Sequence, residues 1–233
     1  MERIAGEAVA SVLTANEAVP TVSYLYSEHY KRWIDCSLAA VALLLCLPLL
    51  VVTALLVVST SRGPALFVQE RVGRYGRKFK IFKFRTMTER GGGSCRTEDS
   101  DPRITAFGRF LRNTKIDELP QIINILNGDM SIIGPRPLSA AETEEIVEKT
   151  GIPADSPGFL HMVRPGLIGL EQINRSVKLS FAERFAYNHQ YELGLNAGLD
   201  LYIFLVAFFQ CRFVCGLAIV SAVTEAMAVS FVQ

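Results

Sequence analysis

The sequence predicts a mostly helical α+β protein. Its first element is a membrane helix-break-helix that enters and leaves on one side, and a small domain edged by amphipathic interfacial helices follows. Three observations carry the membrane part. No residue from Cys36 to Ser61 is charged, and roughly 20 apolar residues suffice to span a bilayer. Pro48 sits near the middle, where its ring and missing amide hydrogen break or kink a helix. Basic residues stand on both flanks, Lys31 and Arg32 before it and Arg62, Arg71, Arg74, Arg77 and Lys78 after it. Positive charge prefers the cytoplasmic side, so both flanks claim that side. A kinked helix that crosses the bilayer is the alternative, because spanning helices tolerate proline.

The elements follow in order. Residues 1–30 carry Glu2, Glu7, Glu17 and Glu28. Their apolar runs are too short for a signal peptide, and they read as a loosely ordered or interfacial leader. Residues 31–62 form the re-entrant hairpin, kinked at Pro48. Residues 63–200 make the small domain. Ala65 to Gln69 and Phe79 to Phe84 have strand composition, with Gly73 and Gly76 marking a hairpin or loop between them. Residues 89–102 are a Gly/Ser/Asp-rich loop. Arg103 to Asn113 sets Phe107, Phe110 and Leu111 against Arg103, Arg109 and Arg112, an amphipathic helix with a basic face. Asp117-Glu118-Leu119-Pro120 opens a helix, as acidic residues and an early proline do. Asn127-Gly128 caps it. Residues 130–133 lead into the stiff turn Gly134-Pro135-Arg136-Pro137. Residues 139–149 form an acidic, solvated helix, and Gly151 to Gly158 is a loop. Residues 201–233 are apolar but interrupted by Arg212 and Glu225, so helices in the interface or packed on the domain are expected. A spanning helix there would set an arginine near the bilayer centre.

Composition narrows the chemistry. The net charge is only +1, yet residues 62–118 hold 14 Lys/Arg against 7 Asp/Glu. A basic block after a membrane segment suits anionic phospholipid headgroups or a phosphate-bearing substrate. No zinc-finger spacing, RNP-like sequence or zipper accompanies it, so nucleic acid is not expected as a partner. The five cysteines form no CxxC pair and read as small hydrophobes in a reducing compartment. His29, His161 and His189 are too scattered for a metal site.

Three groups of residues carry the chemistry. Asp117 and Glu118 lie at a helix start, where free amides and the dipole keep a carboxylate ionised or receive a phosphate. Adjacent carboxylates can divide the work, one as nucleophile and both near a hard cation such as Mg²⁺. The bland reading is a pair that merely stabilises a helix start. Arg136 is caged by Pro135 and Pro137, which stiffen its loop and suit bidentate phosphate recognition; a plain turn with an exposed arginine is the alternative. Strand alternation puts Lys83 and Arg85 on one face of Lys83-Phe84-Arg85-Thr86-Met87, lining a diphosphate site or solvating an edge. Arg109 and Arg112 can meet headgroups, substrate phosphates or water.

With these residues in view, the chain resembles the bacterial sugar transferases, small monotopic phosphoglycosyl transferases of the polyprenyl-phosphate type. The matching residues are Lys31-Arg32 with Asp35, Gln69 to Gly73, Lys83 to Met87, Asp101 to Thr105, Gly108 to Arg112, Asp117 to Gln121, Gly128 to Ser131, Gly134 to Pro137 and Arg164 to Gly169. They run in order over about residues 31 to 205. The resemblance implies a catalytic domain on the cytoplasmic face of the bacterial inner membrane and a hairpin that does not cross, with Lys31, Arg32, Asp35 and Pro48 serving the membrane segment. It implies a UDP-sugar and undecaprenyl phosphate as substrates, UMP as product, Mg²⁺ as cofactor, and initiation of glycoconjugate or exopolysaccharide synthesis. Carried over residue by residue, Asp117 is the nucleophile that forms a covalent phosphosugar intermediate, and Glu118 assists at Mg²⁺ or the departing group. Arg136 and Lys83 hold phosphates, with Arg85, Arg109, Arg112, Pro135 and Pro137 completing the substrate site. Three departures stand out. Leu47 replaces a serine before Pro48, leaving Thr53 or ordered water to support the bend. Gln172 to Arg175 differ from a glycine-containing signature and leave the sugar open. Asn188 stands where aspartate is frequent. A glycosyltransferase that releases UDP and a non-catalytic membrane adaptor are the alternatives; the oligomeric state, a homo-oligomer included, is left open.

Overall fold

The uncharged stretch is mostly apolar and its hydroxyls at the far end bond back onto its own helical carbonyls, so it closes into a long helix, α1, Lys31–Thr60, preceded by a π-helical turn at Tyr26–Tyr30. This architecture comes from a computed structural model that describes residues 26–88, 101–150, 161–174 and 181–210. Most of the leader, most of the loop after residue 88, the loop at 151–158 and the tail beyond 210 lie outside the described residues. The break expected at Pro48 does not interrupt α1, which stays helical through it. Proline removes one helical hydrogen bond, and Pro48 is exposed, with its ring off the protein.

Burial of α1 is deepest toward its two ends, and Ala42, Leu43 and Leu50 between them pack partly buried against the domain. Lys31, Asp35 and Ala39 are buried at one end and Thr53 and Val57 at the other, with no buried residue between 40 and 52. The outward face is a wall of Leu44, Leu45, Leu47, Val51 and Leu55. By length and composition α1 can cross a membrane, and it is the only such helix among the described residues.

A hairpin follows. Strands β1, Leu66–Val72, and β2, Lys78–Phe84, pair antiparallel with Leu66 opposite Phe84, as the sequence predicts. The chain then forms α2, Ala106–Thr114, capped by the Thr105 hydroxyl accepting from the Gly108 amide at 2.8 Å. A 3₁₀ turn at Ile116–Gln121 leads into α3, Ile122–Asn127. The helix expected from Asp117 thus starts as 3₁₀. In an α-helix the Pro120 ring would clash with the carbonyl four residues back, and a tighter turn avoids this. Gly128, at φ 90°, ends α3 as expected.

Next come β3, Ser131–Ile133; β4, Leu138–Ser139; α4, Ala140–Thr150; β5, Gly166–Ile168; α5, Leu170–Ile173; α6, Phe181–Leu193; and α7, Ala197–Gln210. Strand β4 joins the other edge of β1, giving the order β2-β1-β4, while β3 and β5 form a separate parallel pair. The boundary expected after residue 200 falls inside α7. Ile203 and Val206 of that helix pack with Tyr191, Leu195 and Val163 in the main core, while Leu201, Phe204, Leu205, Phe208 and Phe209 face outward.

Polar side chains fasten both ends of α1. Lys31 Nζ donates to Asp200 Oδ2 at 2.5 Å, and Tyr26 and Tyr191 hydroxyls donate to the same carboxylate at 2.8 and 2.7 Å. Arg32 donates to the Ile125 and Leu126 carbonyls, capping α3. Asp35 accepts from the Ser131 hydroxyl at 2.6 Å and the Ile132 amide at 3.3 Å. Lys31, Arg32 and Asp35, expected to serve the membrane, therefore make their polar contacts with the domain, because buried charges need partners. At the far end Arg85 Nη2 donates to the Ser61 carbonyl and hydroxyl at 2.7 and 2.9 Å, a cation at the negative end of α1.

Removing one partner of a buried ion pair typically costs about 3–5 kcal/mol. Asp200→Ala, which orphans Lys31 and two tyrosine hydroxyls, should lower unfolding free energy by about that amount in detergent micelles. Asp200→Asn should lose less, and Lys31→Met combined with Asp200→Leu should recover the part of the loss that comes from the orphaned Lys31 charge. Wild-type stability in Asp200→Ala would show that the pair does not hold the helix.

Candidate active site

The 3₁₀ turn carries the acidic pair, and its entry is strained. Lys115 adopts the left-handed conformation at φ 61°, ending α2 and turning the chain into Ile116–Gln121. Sharp reversal at a non-glycine residue is uncommon and clusters at functional sites. Asp117 is buried, and Glu118 is half-buried beside it.

Their environments separate their charges. Lys83 on β2 donates to Glu118 Oε1 at 2.8 Å. Burial pushes the Glu118 carboxyl up, but Lys83 and then Arg136 outweigh it and hold it down at about 2. For Asp117, burial and the Glu118 charge push it up to about 6, against the pull of Lys83, Lys115 and Arg112. One carboxylate is thus firmly ionised, and its neighbour titrates close to neutrality. Asp117 Oδ1 is buried with no hydrogen-bond partner among the described residues.

The strand that supplies Lys83 is placed by a buried amide. Asn124, fully buried in α3, accepts from the Phe82 amide at 3.1 Å and donates to the Lys80 carbonyl at 2.7 Å. A helix side chain thereby satisfies the free edge of β2 and fixes the spacing between Lys83 and the acidic turn.

Arg136 comes from the opposite wall. Gly134 and Gly166 meet backbone to backbone: a Cβ on Gly166 would lie 2.1 Å from the Gly134 nitrogen, and one on Gly134 would lie 2.5 Å from the Arg164 carbonyl. The Gly134 amide donates to the Ile168 carbonyl, and the Gly166 amide to the Pro135 carbonyl, both at 2.9 Å. Asn188 Oδ1 accepts from the Arg136 amide at 3.3 Å. Its place beneath this loop gives it a positioning contact through a neutral amide. The Arg136 guanidinium reaches the cleft, its Nε 4.0 Å from Glu171 Oε1 and without a hydrogen-bond partner among the described residues.

Of the residues expected at the site, Lys83, Glu118, Arg136 and Pro137 line one cleft, with Asp117 beside Glu118 and Pro135 buried behind it. Arg112 stands near Asp117 and donates to the Thr86 hydroxyl at 2.9 Å. Arg109 is exposed on α2. Arg85 is not in the cleft: its contacts go to the end of α1. The simple strand alternation that paired it with Lys83 ends with β2 at Phe84. Arg71, bonded to Glu142 and the Pro137 carbonyl, also lines the cleft. Its strand position gave no sign of this, because β4 had no sequence signature. No group of three or more His, Cys, Asp or Glu is assembled among the described residues. Cationic groups around a partly protonated carboxylate suit an anionic phosphate substrate and a carboxylate nucleophile.

The chain is similar in sequence to known proteins. The bacterial sugar transferase family model matches residues 26–213. Over 190 residues the chain is 36% identical to a UDP-glucose:undecaprenyl-phosphate glucose-1-phosphate transferase of Klebsiella pneumoniae, covering 78% of this chain and 40% of that protein. It is 41% identical over 145 residues to a UDP-N-acetylgalactosamine-undecaprenyl-phosphate N-acetylgalactosaminephosphotransferase of Aeromonas hydrophila, covering 61% of this chain and 33% of the relative. It is 36% identical over 190 residues to the exopolysaccharide production protein ExoY of Rhizobium meliloti, covering 74% of this chain and 81% of that protein. The chain thus spans two fifths or less of the first two relatives' length and most of ExoY's.

The raised Asp117 value has a stability consequence. The folded protein keeps a proton that the unfolded chain, at 3.8, gives up. Its stabilising effect is complete below about pH 4 and lost as pH rises to about 6, costing about 3 kcal/mol above that. Asp117→Asn should therefore be more stable than wild type by about 2–3 kcal/mol at pH 7.5 without divalent cations, and equal to it near pH 4. Denaturant melts at both pH values check this; the same stability difference at both would refute the assignment.

Proposed function

Because the chain belongs to the bacterial sugar transferase family, we propose that it moves a sugar-1-phosphate from a UDP-sugar to undecaprenyl phosphate and so initiates exopolysaccharide or another glycoconjugate. The observation that carries this reading is the acidic pair. One carboxylate is locked as an anion by Lys83, while the other is buried, unpartnered at Oδ1 and poised near neutrality.

Asp117 attacks the sugar-bearing phosphorus, and a new bond forms to its carboxylate oxygen. The bond from that phosphorus to the bridging oxygen breaks, and UMP leaves with the bridging oxygen and its electron pair. A phosphate oxygen of undecaprenyl phosphate then attacks the same phosphorus. The aspartyl bond breaks, leaving the lipid diphosphate sugar and a free Asp117. Lys83 and Arg136 neutralise phosphate oxygens that would otherwise repel the nucleophile. Arg112 and Arg71 extend the positive lining, and Arg109 faces headgroups. Two carboxylates without a third protein donor fit Mg²⁺, which is held by one or two carboxylates plus substrate phosphates. Asp117 and Glu118 would hold it, and when bound it offsets phosphate charge.

The membrane reading is a re-entrant α1 with its outward face in phospholipid acyl chains and the catalytic domain on the cytoplasmic side. Both ends of α1 rest on one domain, and Ala42, Leu43 and Leu50 between them also pack against its cores. A polar domain stays out of hydrocarbon, so an element with both ends on it returns to the same face.

The activity is tested with the full chain, a panel of UDP-sugars and undecaprenyl phosphate in detergent. UMP rather than UDP should be released, and a sugar-phosphate adduct should form on wild type and vanish in Asp117→Asn. Release of UDP would favour a direct glycosyltransferase, and no turnover would favour an adaptor. Topology is tested by a cysteine at the exposed Tyr30 in a background without native cysteines. Labelling from the cytoplasmic side is expected; labelling only from the periplasm would make α1 a spanning helix.

A further inference from the structure

We propose that Glu142 is a positioning residue for the cleft: it holds the Arg71 guanidinium and, through it, the loop that presents Arg136, an inference that rests on the function proposed above. Glu142 lies in the first turn of α4 and is not among the residues that line the cleft.

Local sequence explains why a carboxylate stands there. Ser139 precedes α4, and its hydroxyl accepts from the Glu142 amide at 3.2 Å. Glu142 Oε2 accepts in return from the Ser139 amide at 2.9 Å. This reciprocal pair is a capping box, a motif that glutamine completes as well as glutamate. The same Oε2 takes a further bond, from Arg71 Nη1 at 2.7 Å. Capping does not require that cation, so the charge at residue 142 has a second use.

Arg71 links the cap to the site. Its Nη1 also donates to the Pro137 carbonyl at 3.2 Å, and its Nη2 donates to Gln69 Oε1 at 2.8 Å. Pro137 ends the turn that carries Arg136. The Gly134–Gly166 contact fixes the upstream end of that turn. Downstream, β4 offers β1 only the pairs Val72 with Leu138 and Arg71 with Ser139. So short a pairing is weak support by itself, and the bridge from α4 through Arg71 to Pro137 completes the anchor. Arg71 is 13% exposed and Glu142 29%, so salt screens this bridge less than it screens fully exposed charges. Burial pushes the Glu142 carboxyl up, but the Ser139 amide, Arg71, the Ser139 hydroxyl and Arg136 outweigh it and hold it below its ordinary value. The carboxylate is therefore ionised when the site works. Arg71 in turn lines the cleft with Lys83 and Arg136, held as a fork whose direction is set from behind.

Two variants separate capping from positioning. Glu142→Gln keeps the capping box and removes the charge that holds Arg71. Ser139→Ala weakens the cap and leaves the Glu142–Arg71 pair. UMP release by the full chain in detergent is measured against the UDP-sugar that wild type uses best, together with melting temperatures and the thermal shift induced by UDP. Glu142→Gln should melt near wild type and lose most of the UDP shift. Its KM for the UDP-sugar should rise about tenfold, the worth of one charge-assisted hydrogen bond, with kcat changed about twofold or less. Ser139→Ala should melt lower, as loss of an N-cap does, and keep its KM within about twofold. An unchanged KM in Glu142→Gln, or an equal rise in both variants, would make Glu142 a helix cap only and overturn the inference. A lower KM in Glu142→Gln would mean that the carboxylate masks Arg71, and overturns it as well. Arg71→Lys keeps the charge and loses the fork; it should raise KM as Glu142→Gln does, and an unchanged KM there is equally fatal, which decides the matter if Glu142→Gln does not fold. If wild type releases UMP and these variants match it, this inference alone falls; if wild type releases none from any UDP-sugar, both readings fall.

Discussion

The buried contact between Lys31 and Asp200 is the constraint on which the rest of the structure depends. It joins the first turn of the apolar helix to the last described helix of the domain, 169 residues later in the chain. Two tyrosine hydroxyls share the carboxylate, so the charge is held by hydrogen bonds as well as by its counterion. A buried pair of this kind contributes little net stability compared with apolar packing, but it penalises every arrangement that separates its partners. Register is what such an arrangement gains. Arg32 and Asp35, one and four residues on, then meet the end of α3 and the start of β3, the segments that flank the acidic turn and the Arg136 loop.

The site inherits its geometry from backbone satisfaction more than from side-chain packing. Asn124 completes an edge of β2 from a neighbouring helix, and the Gly134–Gly166 contact lets two chain segments approach closer than any side chain permits. Lys83 and Arg136 thus reach Glu118 from two walls that have separate supports. The result is two adjacent carboxylates with unlike charge behaviour. Asp117 lacks a direct cation contact and Glu118 has one, although they are neighbours in sequence.

Much of this was legible in the sequence, for identifiable reasons. The hairpin followed from two strand-like runs separated by Gly73 and Gly76, and the end of α3 from Asn127-Gly128. Asp117, Glu118, Lys83 and Arg136 came into view through the family resemblance, because on residue type alone a stabilised helix start, a solvated strand edge and a plain turn were left open. What was not legible depends on distant pairing. Strand β4 is two residues long and β5 three, too short for periodicity to register. Arg85 shared an alternating pattern with Lys83, yet the strand ends between them, and the guanidinium turns to the end of α1. Lys31, Arg32 and Asp35 carry the charges of a membrane flank, and only the fold shows that they are used against the domain. Pro48 marked a break by its chemistry, but its outward position lets the helix continue.

Several unfavourable features of the described chain meet at the acidic turn, although Tyr75 is also left-handed and Arg85, His161 and His189 also carry buried atoms without hydrogen-bond partners among the described residues. Lys115 sits in a left-handed conformation that costs a non-glycine residue about 1 kcal/mol. Asp117 is buried without a cation of its own, and polar atoms of Asp117, Gln121 and Arg136 lack partners. A fold selected for stability alone would pair or expose these groups, since each unpaired buried polar atom costs about 1–3 kcal/mol. Around the ends of α1 most charges are paired and carbonyls are capped, although Arg85 Nε and Nη1 there lack hydrogen-bond partners among the described residues. The anchor is built for persistence, and the acidic turn is held away from its own energetic optimum. Under the function proposed above, an anionic phosphate would offer acceptors to Arg136, whereas Asp117 Oδ1, an acceptor itself, calls for a cation or a hydrogen-bond donor.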